Sequence, residues 1–162
     1  MGSTDLIYNL SRRLTDGRQD AEDLVQETFL RAFRAWVDER RPKKVEPWLA
    51  TICLNLARSG YRSRSRRPLE VPFEEWMVEP HPRVDPESRA IAEIEREQLY
   101  RAMRELPEEQ RVAITLVDLS GLSTYEAAEV MGTPRGTVLS RLHRGRRSLA
   151  GLLGDRIEEV TR

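Results

Sequence analysis

Apolar residues recur along most of this chain at the spacing of an amphipathic helix, which predicts an all-α protein. The pattern is strongest in residues 20–38, where Val25, Phe29, Ala32 and Trp36 fall on one side of the predicted helix. Acidic residues occupy its first turn and arginines follow later, an order that the helix dipole favours. We therefore expect a stable helix whose apolar side packs inward.

Two further helices are predicted, one on each side of this helix. The first covers Leu6 to Leu14 and ends at a turn formed by Asp16 and Gly17. The second begins near Pro47 and runs to about residue 66, with apolar residues first and arginines in its last turns. Its predicted buried residues are Trp48, Leu49, Ile52 and Leu56. Together the three helices predict one small bundle.

A proline-rich segment separates this bundle from the rest of the chain. Residues 68–86 contain five prolines in nineteen positions, a density that excludes a regular helix or a central strand. Helices are predicted again at residues 87–105 and 108–119. The predicted architecture is therefore two small helical domains, residues 1–67 and 87–162, which this linker joins.

The last third of the chain carries the local signals of a helix-turn-helix. Ser123 can cap a helix together with Glu126, because each side chain can satisfy a backbone N–H at the helix start. Gly132 can end that helix in the left-handed conformation. Thr133 can cap a second helix, and Pro134 suits the first turn of that helix because its missing N–H has no partner to lose.

The second helix of this motif has an apolar face and a polar face. Its inward positions are Val138, Leu142, Gly145, Leu149 and Leu152. Its outward positions are Gly136, Ser140, His143, Arg144 and Arg147. Residues 133–147 hold five arginines and no acid, which favours a recognition helix in the major groove of DNA. A basic helix end exposed to solvent is the alternative, but it requires neither the caps nor the turn.

The charges of the chain are segregated although they cancel in total. The 162 residues include 27 basic and 27 acidic residues, which gives a formal net charge of zero. Residues 40–67 hold nine Lys or Arg against one acid, whereas residues 70–109 hold twelve acids against five arginines. Two basic segments are thus separated by an acidic one, and basic segments of this kind are typical of surfaces that bind nucleic acid.

The composition argues against several other kinds of site. The single cysteine, Cys53, rules out an internal disulfide, and its apolar neighbours predict a buried structural thiol. His81 and His143 have no second ligand near them in the sequence, so we expect no metal site and no cofactor. Because we find neither an apolar run of membrane-spanning length nor a signal-peptide pattern, we expect a cytoplasmic protein without membrane insertion.

Three segments resemble the extracytoplasmic-function (ECF) sigma factors, the bacterial subunits that direct RNA polymerase to promoters. DAEDLVQETFLRAFRAW, residues 20–36, is similar to the family's polymerase-binding segment. PWLATICLNLARSGYRSRSRR, residues 47–67, is similar to its segment for the minus-ten promoter element. LPEEQRVAITLVDLSGLSTYEAAEVMGTPRGTVLSRLHRGRR, residues 106–147, is similar to its minus-thirty-five module. The three motifs occur in the family's order and are separated by a linker of suitable length.

The resemblance implies two functional surfaces in the first bundle. The residues implied to bind polymerase are Asp20, Glu22, Asp23, Gln26 and Glu27. An acidic helix start that contacts only solvent is the alternative interpretation of these residues. The residues implied for the minus-ten element are Arg41, Lys43, Lys44, Asn55, Arg58, Tyr61, Arg62 and Arg64. Promoter opening exposes unstacked bases and phosphates, which suit aromatic, polar and cationic side chains.

In the recognition helix the resemblance implies that Ser140, His143 and Arg144 read bases, and these are outward positions by periodicity. The residues implied to hold phosphates, which orient DNA without reading its sequence, are Arg135, Thr137, Arg141 and Arg147. Leu139 stands where family members often have Lys or Arg, so that contact is not carried over to this chain. The family also usually has a further stretch before the first helix, so we expect part of that helix to be missing.

The implied protein is a promoter-specificity subunit without catalysis of its own. Its implied partners are core RNA polymerase, promoter DNA and an anti-sigma factor. We expect the acidic segments to meet the polymerase or to mask the basic faces, so that the free protein binds DNA poorly. The main alternative is a stand-alone helix-turn-helix regulator, which needs no counterpart of residues 20–67. A DNA-binding enzyme such as a nuclease is a second alternative, although outside the acidic linker the sequence shows no paired carboxylates and no clustered histidines.

Overall fold

The computed structural model describes residues 2–38, 41–59 and 86–160, and every regular element within them is helical. The all-α prediction is thereby confirmed. The helices are α1 (Ser3–Leu14), α2 (Arg18–Val37), α3 (Val45–Arg58), α4 (Pro86–Glu105), α5 (Glu108–Ile114), α6 (Thr124–Met131) and α7 (Arg135–Val160). A π-helical turn at Thr115–Leu119 continues α5. All but the last residue of the predicted linker, residues 68–86, lies outside the described residues.

Helices α1, α2 and α3 pack against one another as the predicted bundle. The buried side chains at its centre include Ile7, Leu10, Leu24, Leu54 and Leu56. Cys53 is completely buried among them, and its Sγ lies 3.5 Å from the Ser11 hydroxyl oxygen. Burial raises the pKa of the Cys53 thiol, so the protonated form is favoured. The prediction of a buried structural thiol is confirmed.

Two details of the bundle differ from the prediction. Helix α3 ends at Arg58 rather than near residue 66, and the Ser59 hydroxyl donates to the backbone carbonyl three residues earlier at 3.0 Å. That bond satisfies one of the carbonyls that a helix end leaves without a partner. Trp36 is 44% exposed rather than buried, because it lies in the last turn of α2. The Arg41 guanidinium covers its ring at 5.6 Å from the ring centre.

Helix α6 of the helix-turn-helix has the predicted caps at both ends. The Ser123 hydroxyl accepts a hydrogen bond from the Glu126 backbone N–H at 3.3 Å, and the Glu126 carboxylate accepts one from the Ser123 backbone N–H at 2.8 Å. Gly132 ends α6 with φ +62°, a left-handed conformation that glycine adopts at low cost. Helix α7 begins at Arg135, immediately after Pro134. The local chemistry of Ser123, Glu126 and Gly132 thus fixes both boundaries of α6.

Gly145 brings α7 close to α5. A Cβ placed on Gly145 would lie 2.8 Å from Ile114 Cδ1 and 3.2 Å from Gln110 Cβ, so a side chain here would displace its neighbours. The inward positions of α7 that are buried or half-buried are Val138, Leu142, Gly145, Leu149 and Leu152. The predicted inward face of the recognition helix is confirmed.

The first three helices pack directly against the last four. Helix α3 contacts α6, and α1 contacts α4 and α5. The Tyr100 hydroxyl donates to the Arg12 carbonyl at 3.0 Å, and the Arg12 guanidinium lies 4.7 Å from the centre of the Tyr100 ring. Buried residues from both halves form one continuous apolar core. Within the part of the chain that the structure describes, no helix has the length and apolar character of a membrane span.

Candidate nucleic-acid interface

The outward face of α7 is accessible and strongly cationic. Its exposed residues are Arg135, Gly136, Leu139, Ser140, His143, Arg144 and Arg147. The three predicted base-reading residues therefore lie on one exposed face. The Ser140 hydroxyl donates to the Thr137 carbonyl at 2.9 Å, which leaves its oxygen able to accept from a base or a water. Thr137 itself is half-buried.

Contacts with α6 hold Arg135 in place at the start of the recognition helix. Its Nε donates to Thr124 Oγ1 at 2.9 Å, and its guanidinium lies 4.5 Å from the centre of the Tyr125 ring. These contacts reduce the conformational freedom that the side chain would lose on binding a phosphate. Arg146 is restrained differently, because it binds Asp118 through two bonds of 2.9 and 2.5 Å. Its cation is therefore less available than that of Arg135.

One carboxylate, that of Glu109 on α5, joins the two predicted DNA-binding surfaces. Its Oε1 accepts from Arg58 Nη2 of α3 at 3.2 Å, and its Oε2 pairs with Arg141 of α7. Arg141 is half-buried and also donates to Thr133 Oγ1 at 3.4 Å, so it lies away from the exposed face of α7. The guanidinium N–H groups of Arg58 and Arg141 that bind Glu109 must be released before they can donate to a DNA phosphate.

A second carboxylate, that of Glu126, joins the same two halves. Lys44 Nζ lies 2.6 Å from Glu126 Oε1, while Glu126 Oε2 accepts from the backbone N–H and the hydroxyl of Ser123 at 2.8 and 2.7 Å. The hydrogen bonds from Lys44 and then Ser123 lower the pKa of Glu126 to about 2. The same bond raises the pKa of Lys44. Glu126 therefore caps α6 and holds a predicted minus-ten cation at once.

The remaining predicted minus-ten residues form a polar surface beside α3. Arg41 and Lys43 are exposed in the segment before α3, and Asn55 and Arg58 are exposed one turn apart on that helix. Trp48, near the start of α3, is half-buried and lines a groove with Lys43 and residues of α6. The predicted residues Tyr61, Arg62 and Arg64 lie outside the described residues.

The predicted polymerase-binding residues lie on the outer side of α2. Asp20 is exposed, whereas Glu22, Asp23, Gln26 and Glu27 are half-buried. Glu22 pairs with Arg18 at 2.7 Å and Glu27 with Arg31 at 2.9 Å, both one turn apart on the helix. The acidic surface is thus partly neutralised within the helix itself.

An apolar stripe that was not predicted from the sequence continues this outer side of α2. Leu30, Phe33 and Val37 are 43%, 68% and 62% exposed. Together with Gln26 they follow the helical spacing i, i+4, i+7 and i+11, so they share one face. This spacing was visible in the sequence, but α2 has apolar residues on two sides, and periodicity alone does not say which side is covered.

The fold and this surface define a helix-turn-helix protein with an exposed cationic face beside a helical bundle. Residues 3–67 match the family model described as sigma-70 region 2, and residues 96–149 match that of sigma-70 region 4. The chain belongs to the sigma-70 family, as a member of the ECF sigma factors. The family expectation from the sequence is confirmed.

Three similar sigma factors support this assignment. The chain is 39% identical over 158 residues to the ECF RNA polymerase sigma factor SigE of Mycolicibacterium smegmatis, covering 96% of this chain and 60% of that protein. It is 40% identical over 141 residues to the ECF RNA polymerase sigma factor EcfG of Rhodopseudomonas palustris, covering 86% of this chain and 75% of the relative. It is 35% identical over 161 residues to the RNA polymerase sigma-H factor of Pseudomonas aeruginosa, covering 95% of this chain and 83% of that protein.

Solved structures support the fold over nearly the whole chain. The sigma factor RpoE in complex with the anti-sigma factor NepR from Bartonella quintana has a TM-score of 0.69 and 28% identity, covering 94% of this chain and 92% of that one. CnrH in complex with the cytosolic domain of CnrY has a TM-score of 0.64 and 27% identity, covering 93% of this chain and 82% of that one.

Proposed function

We propose that this chain is a promoter-specificity subunit of bacterial RNA polymerase and acts in the cytoplasm, where the polymerase works. It contributes DNA recognition, and the polymerase contributes the chemistry. The observation that carries the proposal is the exposed outward face of α7, which presents Ser140, His143 and Arg144 on a helix-turn-helix that belongs to sigma-70 region 4. Helices of this kind place their first turns in the major groove, where arginine binds guanine through two hydrogen bonds.

Two domains of different role fit the proposal, residues 1–67 for polymerase and the minus-ten element and residues 87–162 for the minus-thirty-five element. Arg135, Thr137, Arg141 and Arg147 would hold phosphates around the base-reading residues. Arg135 suits this role best, because α6 already restrains its guanidinium. Arg141 would join only after it leaves Glu109.

In the first domain, the segment before α3 and the exposed side of α3 would bind the opened minus-ten region. Arg41, Lys43, Lys44 and Arg58 supply cations, and Asn55 supplies an amide that can donate and accept. Tyr61, Arg62 and Arg64 remain part of the proposed set on the basis of the family resemblance.

The outer side of α2 would bind core polymerase. Asp20, Glu22, Asp23, Gln26 and Glu27 supply polar and acidic contacts. The exposed stripe of Leu30, Phe33 and Val37 adds apolar area beside them. Large exposed apolar side chains grouped in this way are typical of protein-binding surfaces, and an acidic helix start that meets only solvent would not require them.

We also propose that the free chain is held in a closed form and that an anti-sigma factor controls it. Lys44, Arg58 and Arg141 are three of the proposed DNA-binding cations, and all are paired with carboxylates in this conformation. The pairs at Glu109 and Glu126 also hold the two halves together. The similar sigma factor RpoE is bound by an anti-sigma factor in its solved complex, which supports a partner of the same kind here.

The test is transcription by purified core RNA polymerase on fragments of bacterial genomic DNA, with and without this chain. We expect new start sites that depend on the chain. Arg144→Ala should cost about 1–3 kcal/mol of discrimination at one promoter position, whereas Arg147→Ala should weaken all promoters alike. The matched control is Arg101→Ala, which removes an exposed arginine of α4 that pairs with Glu97.

Two outcomes would contradict the proposal. If the chain adds no start-site selectivity to core polymerase, it is not a promoter-specificity subunit. If the chain alone binds a palindromic duplex tightly as a dimer, the stand-alone regulator becomes the better interpretation.

A further inference from the structure

The recognition helix exposes one large apolar side chain on its DNA-facing side. Leu139 is the fifth residue of α7 and is 42% exposed. The core does not require it, because Val138 and Leu142 supply the buried contacts of this part of the helix. Its neighbours on the exposed face, Ser140 and His143, are polar. Leu139 is therefore an apolar position within a polar DNA-facing surface.

The surroundings of Leu139 do not form an apolar patch large enough for a protein partner. Among the described residues of α4 to α7, the other large exposed apolar side chains are Ile94 and Tyr125. The ring of Tyr125 is stacked against Arg135, and Ile94 belongs to α4. The groove beside Leu139 is lined by Thr124, Leu142, His143, Arg146 and Arg147. A partner at this groove therefore meets one apolar wall within a cationic rim, which suits DNA better than protein.

The chemistry of the major groove determines which base can lie against a leucine. All four bases present polar groups there, including O4 of thymine, and a leucine pressed against such a group would leave it without a hydrogen bond. Thymine alone presents a methyl group, on C5. An apolar side chain on this face thus favours thymine over the other three bases.

The position of Leu139 along the helix also suits base contact. Gly136 precedes it by one turn and has no side chain, and a Cβ built there would meet nothing within 4 Å. This lowers the surface of the helix beside Leu139 and permits close approach to the groove floor. His143 follows it by one turn on the same exposed face. Leu139 thus lies next to the proposed base-reading residues.

We infer that Leu139 is a specificity-determining residue that selects thymine at one position of the minus-thirty-five element through contact with the C5-methyl group. This inference rests on the proposed function, because it requires α7 to lie in the major groove. Burial of one methyl group favours binding by about fourfold. The expected preference is therefore modest and confined to one base pair.

The first experiment selects promoters from a pool in which the minus-thirty-five region is randomised, with the full chain bound to core RNA polymerase. We expect thymine to be enriched at one position by the unmodified chain and by Leu139→Met, which keeps an apolar side chain. The enrichment should disappear with Leu139→Ala. Ile94→Ala is the control, since it removes another exposed apolar side chain, from α4, and should leave the selected sequence unchanged.

The second experiment replaces the selected thymine with deoxyuridine, which lacks only the C5-methyl group. Binding by the unmodified complex should weaken by about fourfold, and binding by the Leu139→Ala complex should not change. Equal binding of the two duplexes by the unmodified complex, or thymine selection that persists in Leu139→Ala, would overturn the inference. If the unmodified complex enriches no sequence at all, the proposed function fails instead, so the two failures are distinguishable.

Discussion

Neutralising Glu109 should make the free chain bind DNA more tightly. Its carboxylate holds Arg58 of α3 and Arg141 of α7, so Glu109→Gln weakens the contact between the halves and frees both cations. The Arg58–Glu109 pair measures 3.2 Å, and its side chains are 36% and 44% exposed. A pair this exposed contributes about 0.2–1 kcal/mol. Its loss should therefore favour the open form, in which the two halves are released from each other, by up to about fivefold.

The assay is fluorescence anisotropy of the free chain on a labelled duplex of mixed sequence, at several salt concentrations. Mixed sequence suffices because the freed arginines are proposed to bind phosphates. We expect affinity to rise by about 1.4- to fivefold, and the salt dependence to steepen by about 0.9 for each new phosphate contact.

The matched control is Glu97→Gln, which removes the same charge from a carboxylate that pairs with Arg101 within α4. It reproduces the change in net charge but leaves the contact between the halves intact. If both variants gain affinity equally, the gain reflects overall charge and the closed-form hypothesis is wrong. No gain in either variant would contradict it as well.

Three further predictions concern the fold. Gly145→Ala should lower the free energy of unfolding by about 1–3 kcal/mol in urea titrations, because its Cβ would lie 2.8 Å from Ile114 Cδ1. The control is Gly151→Ala in the same helix, which has open space around it and should raise the free energy of unfolding by about 0.5–1 kcal/mol. Because the folded pKa of Glu126 is about 2, against an ordinary 4.5, its stabilising contribution should be present above pH 4.5 and be lost as pH falls toward 2. The urea midpoint should therefore fall less from pH 6 to pH 3 in Glu126→Gln than in the unmodified chain. An equal fall in both proteins would refute the assignment. Cys53 should react with a thiol reagent only as fast as the protein unfolds, since the thiol is buried and its pKa is raised, and rapid labelling of the native protein would contradict this.

The helix-turn-helix was predicted from the sequence because its determinants are local. The bonds between Ser123 and Glu126 join residues three positions apart, and the left-handed conformation of Gly132 depends on its missing side chain. The exposed face of α7 followed from helical periodicity for the same reason. Leu139 was assigned to neither face by periodicity, and its exposure follows from the structure.

The outer side of α2 shows where periodicity was insufficient. Val25 and Ala32 are buried, whereas Leu30 and Phe33 are exposed, although all four are apolar. The helical period assigns them to two sides, but only the packing of α1 and α3 determines which side is covered. Trp36 was placed with the buried set and is exposed, because the helix ends beside it.

The sequence by itself determined where most of the helices lie, the caps of α6 and the separation of positive from negative segments, since each depends on residues within a few turns of one another. Only the tertiary structure decided that Glu109 meets Arg58 and that Glu126 meets Lys44, across 51 and 82 residues of chain. The chain has 27 acidic and 27 basic residues, so many pairings are compatible with its charge pattern. The packing of α3 against α6, and of α1 against α5, selects among them, because an ion pair requires its two groups to be brought within about 4 Å.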